Sequence, residues 1–414
     1  MPDDKLAIFS SATDREEKTV KSRKLTCVVA LMLFAVPTAL ATTTFYVNGL
    51  TGNDRNNCLS ASTAYKTIGH AILRAASSNR ALPHIIIVAA ATYTENLTIP
   101  ASLNLTIVGS SATSTIVNGG RVGPVVSISS GKVTLSGMTF RNGLSADGGG
   151  IANGGTLTLN NSIVSGNTVD AGSCGGGGGI YNSGRLVIDN STISGNAVNT
   201  SDGSGFCFAG GGGIANTTGG AVTIQNSTIS GNRALLASAI KNSGGTAIII
   251  NSTVSGNRSP KSVSPTPAIY VSKGGVRIYN GTISGNVGGG IWVRPVFGVA
   301  AAKLQNSIVA KNSGANCLAV TSLGYNLSSD GSCAFNGPGD LNNIDPRLGL
   351  LGYHGGPTKT MALPSGSPAV DAGDPSGCRD NHDNLLKTAQ RGMPRHDPED
   401  IRGCDMGAYE LQGD

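Results

Sequence analysis

Residues 190–196 read Asn-Ser-Thr-Ile-Ser-Gly-Asn, and close copies begin at Asn161, Asn226, Asn251, Asn280 and Asn306. The copies run NSIVSGN, NSTISGN, NSTISGN, NSTVSGN, NGTISGN and NSIVAKN, spaced 29, 36, 25, 29 and 26 residues apart. A period in this range is the mark of a repeat architecture. The flanks align as well. Leu159, Ile188, Ile224, Ile249, Ile278 and Leu304 stand two before each Asn, and Val164, Ile193, Ile229, Val254, Ile283 and Val309 three after it. Aliphatic positions alternating with polar ones are strands with one buried face. A second block, GGGIAN, GGGIYN, GGGIAN, SAIKN, PAIYV and GGGIWV, precedes each strand and supplies Ile151, Ile180, Ile214, Ile240, Ile269 and Ile291.

One coil of this length cannot bury its apolar face. Stacked coils about 4.8 Å apart bury it continuously. The return segments are rich in Gly and polar residues, which disfavours the helix of a leucine-rich repeat. The expected fold is therefore all-β: a right-handed parallel β-helix solenoid with a short N-terminal capping helix and an irregular C-terminal cap. The first Asn of each copy (Asn161, Asn190, Asn226, Asn251, Asn280, Asn306) is expected to form a buried amide ladder. The second, Asn167 through Asn312, is expected at a tight turn. On this view the N-x-S/T matches at Asn190, Asn226 and Asn251 are ladder positions, not exposed glycosylation sites.

Composition agrees. Gly counts 60 of 414 residues, about twice the usual share. Charged residues are 13% and aromatics 4%, and the formal charge is +6. No basic run interleaved with aromatics occurs, so a nucleic-acid partner is not expected. Lys21, Arg23 and Lys24, the apolar stretch Leu25–Val36 and Ala39-Leu40-Ala41 read as a signal peptide over 1–41, hence a secreted or cell-surface protein. No further transmembrane span is expected. Residues 42–84 are assigned to the N-terminal cap, with an amphipathic helix at 62–79 directing Ile68, Ile72 and Leu73 inward. The solenoid is assigned to 85–315, its first strand at His84–Ala89, and the last coils and cap to 316–414.

In an oxidising compartment cysteines pair. Cys317 with Cys333 and Cys378 with Cys404 are close in sequence. Cys174 and Cys207 precede successive GGGI blocks and are a third candidate pair, leaving Cys58 over. Writing Cys378, His382, His396 and Cys404 as a zinc set matches no strong spacing template.

GGGI with I-x-x-N resembles the repeats of bacterial polymorphic outer-membrane proteins. FYVNGLTGND (45–54), CLSASTAYKTIGHAI (58–72), GYNLSSDGSC (324–333), DPRLG (345–349), GGPTKTMAL (355–363), GSPAVDAG (366–373), QRGMPR (390–395) and CDMGAYE (404–410) occur in order. They resemble bacterial exported β-helix proteins of the choice-of-anchor Q type, in the pectate-lyase-like superfamily. The resemblance implies a surface or secreted protein with no assigned catalysis.

Glycoside hydrolysis needs two carboxylates facing one cleft. Residues 101–329 contain no Glu and no His, and their Asp residues are Asp147, Asp170, Asp189 and Asp202. Asp147, Asp170 and Asp202 lie in loops before GGGI blocks, where a shared Ca2+ is the one cofactor the sequence allows. Tyr181 and Trp292 on GGGI strands, with Phe206 and Phe208 in the longest insertion, are the aromatic candidates for sugar. The insertions at 168–174, 197–209, 233–237 and 258–265 align on one face. Thr192, Thr228, Thr253 and Thr282 form an outward hydroxyl column. Asp371, Arg391, Asp405 and Glu410 read as contacts tying tail loops. The expected function is non-enzymatic adhesion or binding of a polysaccharide or cell-surface glycan by a monomer. The alternative is a lyase or hydrolase acting on an acidic polysaccharide.

Overall fold

The computed structural model describes residues 42–414 apart from 79–81, 172–174, 201–209, 260–265, 297, 396–402 and 414. Two parallel sheets carry the coils. Among the described residues, a long sheet of 18 strands takes the GGGI and L-x-I segments, and an 11-stranded sheet takes the T-I-S segments. The register is that of the sequence repeat. Leu159, Ile188, Ile224, Ile249, Ile278 and Leu304 stack one above another, as do the Ile151–Ile291 column and the Val164–Val309 column. All are buried in one core. The fold is the expected right-handed parallel β-helix.

The two Asn columns exchange the roles expected of them. Asn161, Asn190, Asn226, Asn251, Asn280 and Asn306 are the corners, all left-handed with φ between 46° and 54°. Asn tolerates this conformation at little cost. With the bend taken there, its side chain leaves the core, and these six form no ladder. The ladder belongs to the second column. Asn167, Asn196, Asn232, Asn257, Asn286 and Asn312 are linked Nδ2–H to Oδ1 from coil to coil at 2.9–3.0 Å. The glycine before the first five (φ 64° at Gly166, 63° at Gly195), and Lys311 (φ 54°) before Asn312, absorbs the second bend, leaving the Asn free to point inward. A parallel ladder runs Asn153–Asn182–Asn216–Asn242 at 2.7–2.8 Å. The serines after the first corner make a third: the Ser162, Ser191 and Ser227 amides donate to Oγ of Ser191, Ser227 and Ser252 at 3.1 Å. The polar interior is thus paired along the axis, as burial requires.

The ends differ from expectation. The first strand is Thr43–Val47, pairing in parallel with His84–Val88, so the solenoid begins inside the segment assigned to the cap. The helix is shorter, Ile68–Ser77, capped by Thr67 Oγ1. Glu95 closes its N-terminus, accepting from the Ile68 and Gly69 amides at 2.9 and 2.7 Å. Ile68, Ala71, Ile72, Ala75 and Ala76 form the buried stripe, and Leu73 is 65% exposed because it lies off that 3.6-residue stripe. Among the described residues no helix is long and apolar enough to cross a membrane.

After one more coil, with strands at Cys317–Leu318, Thr321–Ser322, Leu327–Ser328 and Leu341–Asn342, the chain turns back. It runs as a strap along the outer face of the 11-stranded sheet. Thr228 Oγ1 donates to Lys359 O, Thr253 Oγ1 to Gln390 Oε1, and the Ala408 amide to Thr282 Oγ1. The corner asparagines hold it too: Asn251 Nδ2 donates to Thr388 O, Asn280 Nδ2 to Arg379 O, and Asn306 Oδ1 accepts from the Asp374 amide. Thr228, Thr253 and Thr282 are therefore buried under protein, and the threonine column is no ligand surface over these coils. The disulfides Cys317–Cys333 and Cys378–Cys404 are present. The second leaves no thiolates for a zinc set. Cys58 is a buried free thiol.

Several expectations fall outside the described residues: the signal peptide, the Cys174–Cys207 pair, Asp202, Phe206 and Phe208. Of the insertions, Thr168–Ala171 and Ala197–Thr200 are strands of a small third sheet with Leu144–Ser145.

Candidate functional site

In each GGGI strand the residue after Ile points outward. Across the register these residues are Ala152, Tyr181, Ala215, Lys241, Tyr270 and Trp292. Parallel pairing places them in one line along the solenoid axis. Tyr181 and Trp292 thus share a face, four strand steps or about 19 Å apart. Sequence reasoning found these two and passed over Lys241 and Tyr270 between them. Their signal was the variable position of an otherwise constant block.

Tyr181, Ala215, Lys241 and Tyr270 of this line border two adjoining clefts, and Trp292 continues the line beyond them. One, of about 250 Å³, is lined by Leu236, Lys241, Tyr270, Lys273 and Val296 among others. The second, of about 190 Å³, lies against Asp147, Tyr181, Ala215, Thr217 and Lys241. Lys241 and Ser243 border both. Gly175, Gly176 and Gly210 also border the second cleft, and a Cβ on any of them would strike the backbone of a neighbouring coil. Tyr270 is only 7% exposed, so little of its side chain reaches the cleft. Trp292 is partly exposed, its indole N–H donates to Ala315 O at 3.3 Å, and the Arg294 guanidinium lies 5.4 Å from its ring centre.

Burial pushes the Lys241 ammonium below the ordinary lysine range, and the Asp147 carboxylate opposes that shift. The charged form is therefore disfavoured in the folded protein. Below the folded pKa both states are protonated and the folded state bears the full cost. As pH rises from that pKa to the unfolded value, the folded state sheds the cost. Lys241→Met is accordingly expected to raise the unfolding midpoint at neutral pH. The gain should shrink as pH climbs through the lysine range. Thermal melts of both proteins across pH check this, and a gain independent of pH would contradict it.

Asp147 is exposed and its Oδ1 accepts from the Gly176 amide at 2.9 Å. Asp170 sits exposed on the third sheet. Among the described residues no three His, Cys, Asp or Glu side chains group as metal ligands. Asp189 is engaged by Asn226 Nδ2 at 2.9 Å. In the strap, Asp405 accepts from the Asp371 and Leu411 amides, and Arg391 donates to His354 O and Glu410 O. These are the expected loop contacts. The residue at their centre is Arg395, whose Nη1 meets Glu410 Oε2 at 2.7 Å with both side chains 1% exposed.

No protein-family model and no curated protein matches the chain. Among solved structures it is similar to pectate lyase Pel9A, at 15% identity and a TM-score of 0.57, over 90% of this chain and 97% of that one. It also aligns with pectin methylesterase from carrot, at 15% identity and a TM-score of 0.35, over 67% of this chain and 82% of that one. The first likeness is one of fold.

Proposed function

We propose that this chain is an exported β-helix protein of the choice-of-anchor Q type that binds a linear polysaccharide along the line Tyr181–Lys241–Tyr270–Trp292, with adhesion as its use. The observation that carries the reading is that line itself. Tyr181, Lys241 and Tyr270 border adjoining clefts and Trp292 follows in register, so aromatic rings, an ammonium and hydroxyls succeed one another parallel to the axis, which suits an extended polymer. The opposite sheet offers no such surface from coil Asn226 to coil Asn306, because the strap covers it. The tail motifs, the paired cysteines and the reading of 1–41 support export.

Lys241 favours a second reading. An amine whose pKa is lowered is a better base near neutral pH, and β-elimination from a uronate needs a base. The described groove offers a single carboxylate, Asp147, so hydrolysis by a carboxylate pair lacks its second member.

A polysaccharide panel scored for both retention and depolymerisation separates the readings. Retention without turnover, weakened several-fold by Trp292→Ala, is the expected result. Unsaturated products that vanish in Lys241→Met would establish the lyase instead. Turnover lost on substituting Asp147 or Asp170 would also overturn binding alone.

A further inference from the structure

The net charge of +6 conceals a segregation. Residues 203–329 hold nine Lys/Arg and no Asp or Glu, while residues 330–414 hold thirteen acidic residues against seven basic. The described residues of the acidic segment belong to the last coil and the strap. The cationic one forms the later coils of the long sheet. Lys241 lies on strand Ile240–Ile250, Lys273 and Arg277 on Pro267–Tyr279, Lys303 on Ala300–Gln305, and Arg294 just past Gly289–Val293. Arg277 and Lys303 are register neighbours, both exposed. Among the described residues the ion pairs are Lys311–Asp345, Arg379–Asp383 and Arg395–Glu410, so Lys273, Arg277, Arg294 and Lys303 have no carboxylate partner. Like charges on neighbouring strands repel, and such a belt is a cost to the fold.

We propose that the polymer taken by this face is a polyanionic glycan, its acidic groups meeting the belt of Lys241, Lys273, Arg277, Arg294 and Lys303 while a sugar ring lies over Trp292. This rests on the polysaccharide reading of the groove and adds the charge of the ligand. Carboxylate and sulfate share the required chemistry. The belt adjoins the first cleft, through Lys241 and Lys273, so an anion reaching Arg277 or Arg294 extends from the groove. Asp147 at the other cleft sets a limit: the anionic preference fades toward the Tyr181 end.

The test uses polygalacturonate, its carboxyl-reduced neutral counterpart, dextran sulfate and duplex DNA as probes, with affinities measured at low and raised salt. Polygalacturonate or dextran sulfate should bind at least about tenfold more tightly than the neutral polymer, and the difference should fall with salt. The tighter of the two names the acidic group. Arg277→Gln/Lys303→Gln, two exposed positions, should hold or raise the unfolding midpoint, since their mutual repulsion is removed, and lose most of the preference. Equal binding of the neutral polymer overturns the polyanion inference and leaves the polysaccharide reading standing. Binding of no glycan overturns both. DNA bound more tightly than either anionic glycan overturns the inference in favour of a general polyanion surface.

Discussion

Arg395→Ala is expected to release the strap. The Arg395 guanidinium is buried and donates to Glu410 Oε2 at 2.7 Å, to Asn251 Oδ1 at 2.7 and 3.1 Å, to Gly407 O at 2.6 Å and to Asp405 O at 3.2 Å. It therefore joins the strap to itself and to a corner of the solenoid. Removing it leaves Glu410 buried without its cation, a loss of about 3–5 kcal/mol. The strap should then be cut by protease under conditions that leave the wild type whole. For a cut between residues 378 and 404, the Cys378–Cys404 disulfide should hold the fragments together until reduced. Arg395→Met/Glu410→Leu removes both charges and should recover much of the loss, since an apolar replacement avoids the desolvation cost. A strap equally resistant in Arg395→Ala would show that the threonine and asparagine contacts suffice.

The second large effect separates the two Asn columns. Asn232 Oδ1 accepts from both the backbone and the side-chain N–H of Asn196 at 3.0 Å, and its Nδ2 donates to Ile193 O and Asn257 Oδ1 at 2.9 Å. Asn232→Leu strands several buried polar groups at once, each costing about 1–3 kcal/mol. Asn226, the corner of the same coil, has φ 50° and a partly exposed side chain. Asn226→Gly should cost about 1 kcal/mol or less, because glycine adopts that conformation freely. Denaturant unfolding of the pair checks the order, and a larger loss at Asn226 would restore the ladder to the first column.

Much of the fold was legible because a solenoid writes its register into the sequence. Ile at one position of every coil can face only the same core, and the columns stacked as read. The Asn roles were harder. Both columns are constant and polar, and sequence does not say which of two asparagines six residues apart takes the bend. The glycine before the second was the clue: once it makes the turn, the next residue is free to point in. The strap was concealed in departures from the repeat. NSIVAKN puts Ile308 and Ala310 outward where the preceding coil has Thr282 and Ser284. These two pack with Leu348, Met361, Leu363, Met406 and Tyr409 in a second core. The site was half legible. Tyr181 and Trp292 stood out as aromatics in a poor background. Lys241 and Tyr270 required the register, since only stacking puts them between the other two.

The strap has a bearing on how this molecule comes apart. A plain solenoid is coupled only to its nearest neighbours, so it can unravel one coil at a time from an end. Here a single segment is fastened to Asn226, Asn251, Asn280 and Asn306, four successive corners. No one of these coils can open without loosening a chain that also grips the other three. The later half of the protein is thereby made into one cooperative block, while the earlier coils keep the graded, local opening of a simple stack. The line from Lys241 to Trp292 is built on that block, so the strap stiffens from behind the surface on which a polymer would lie.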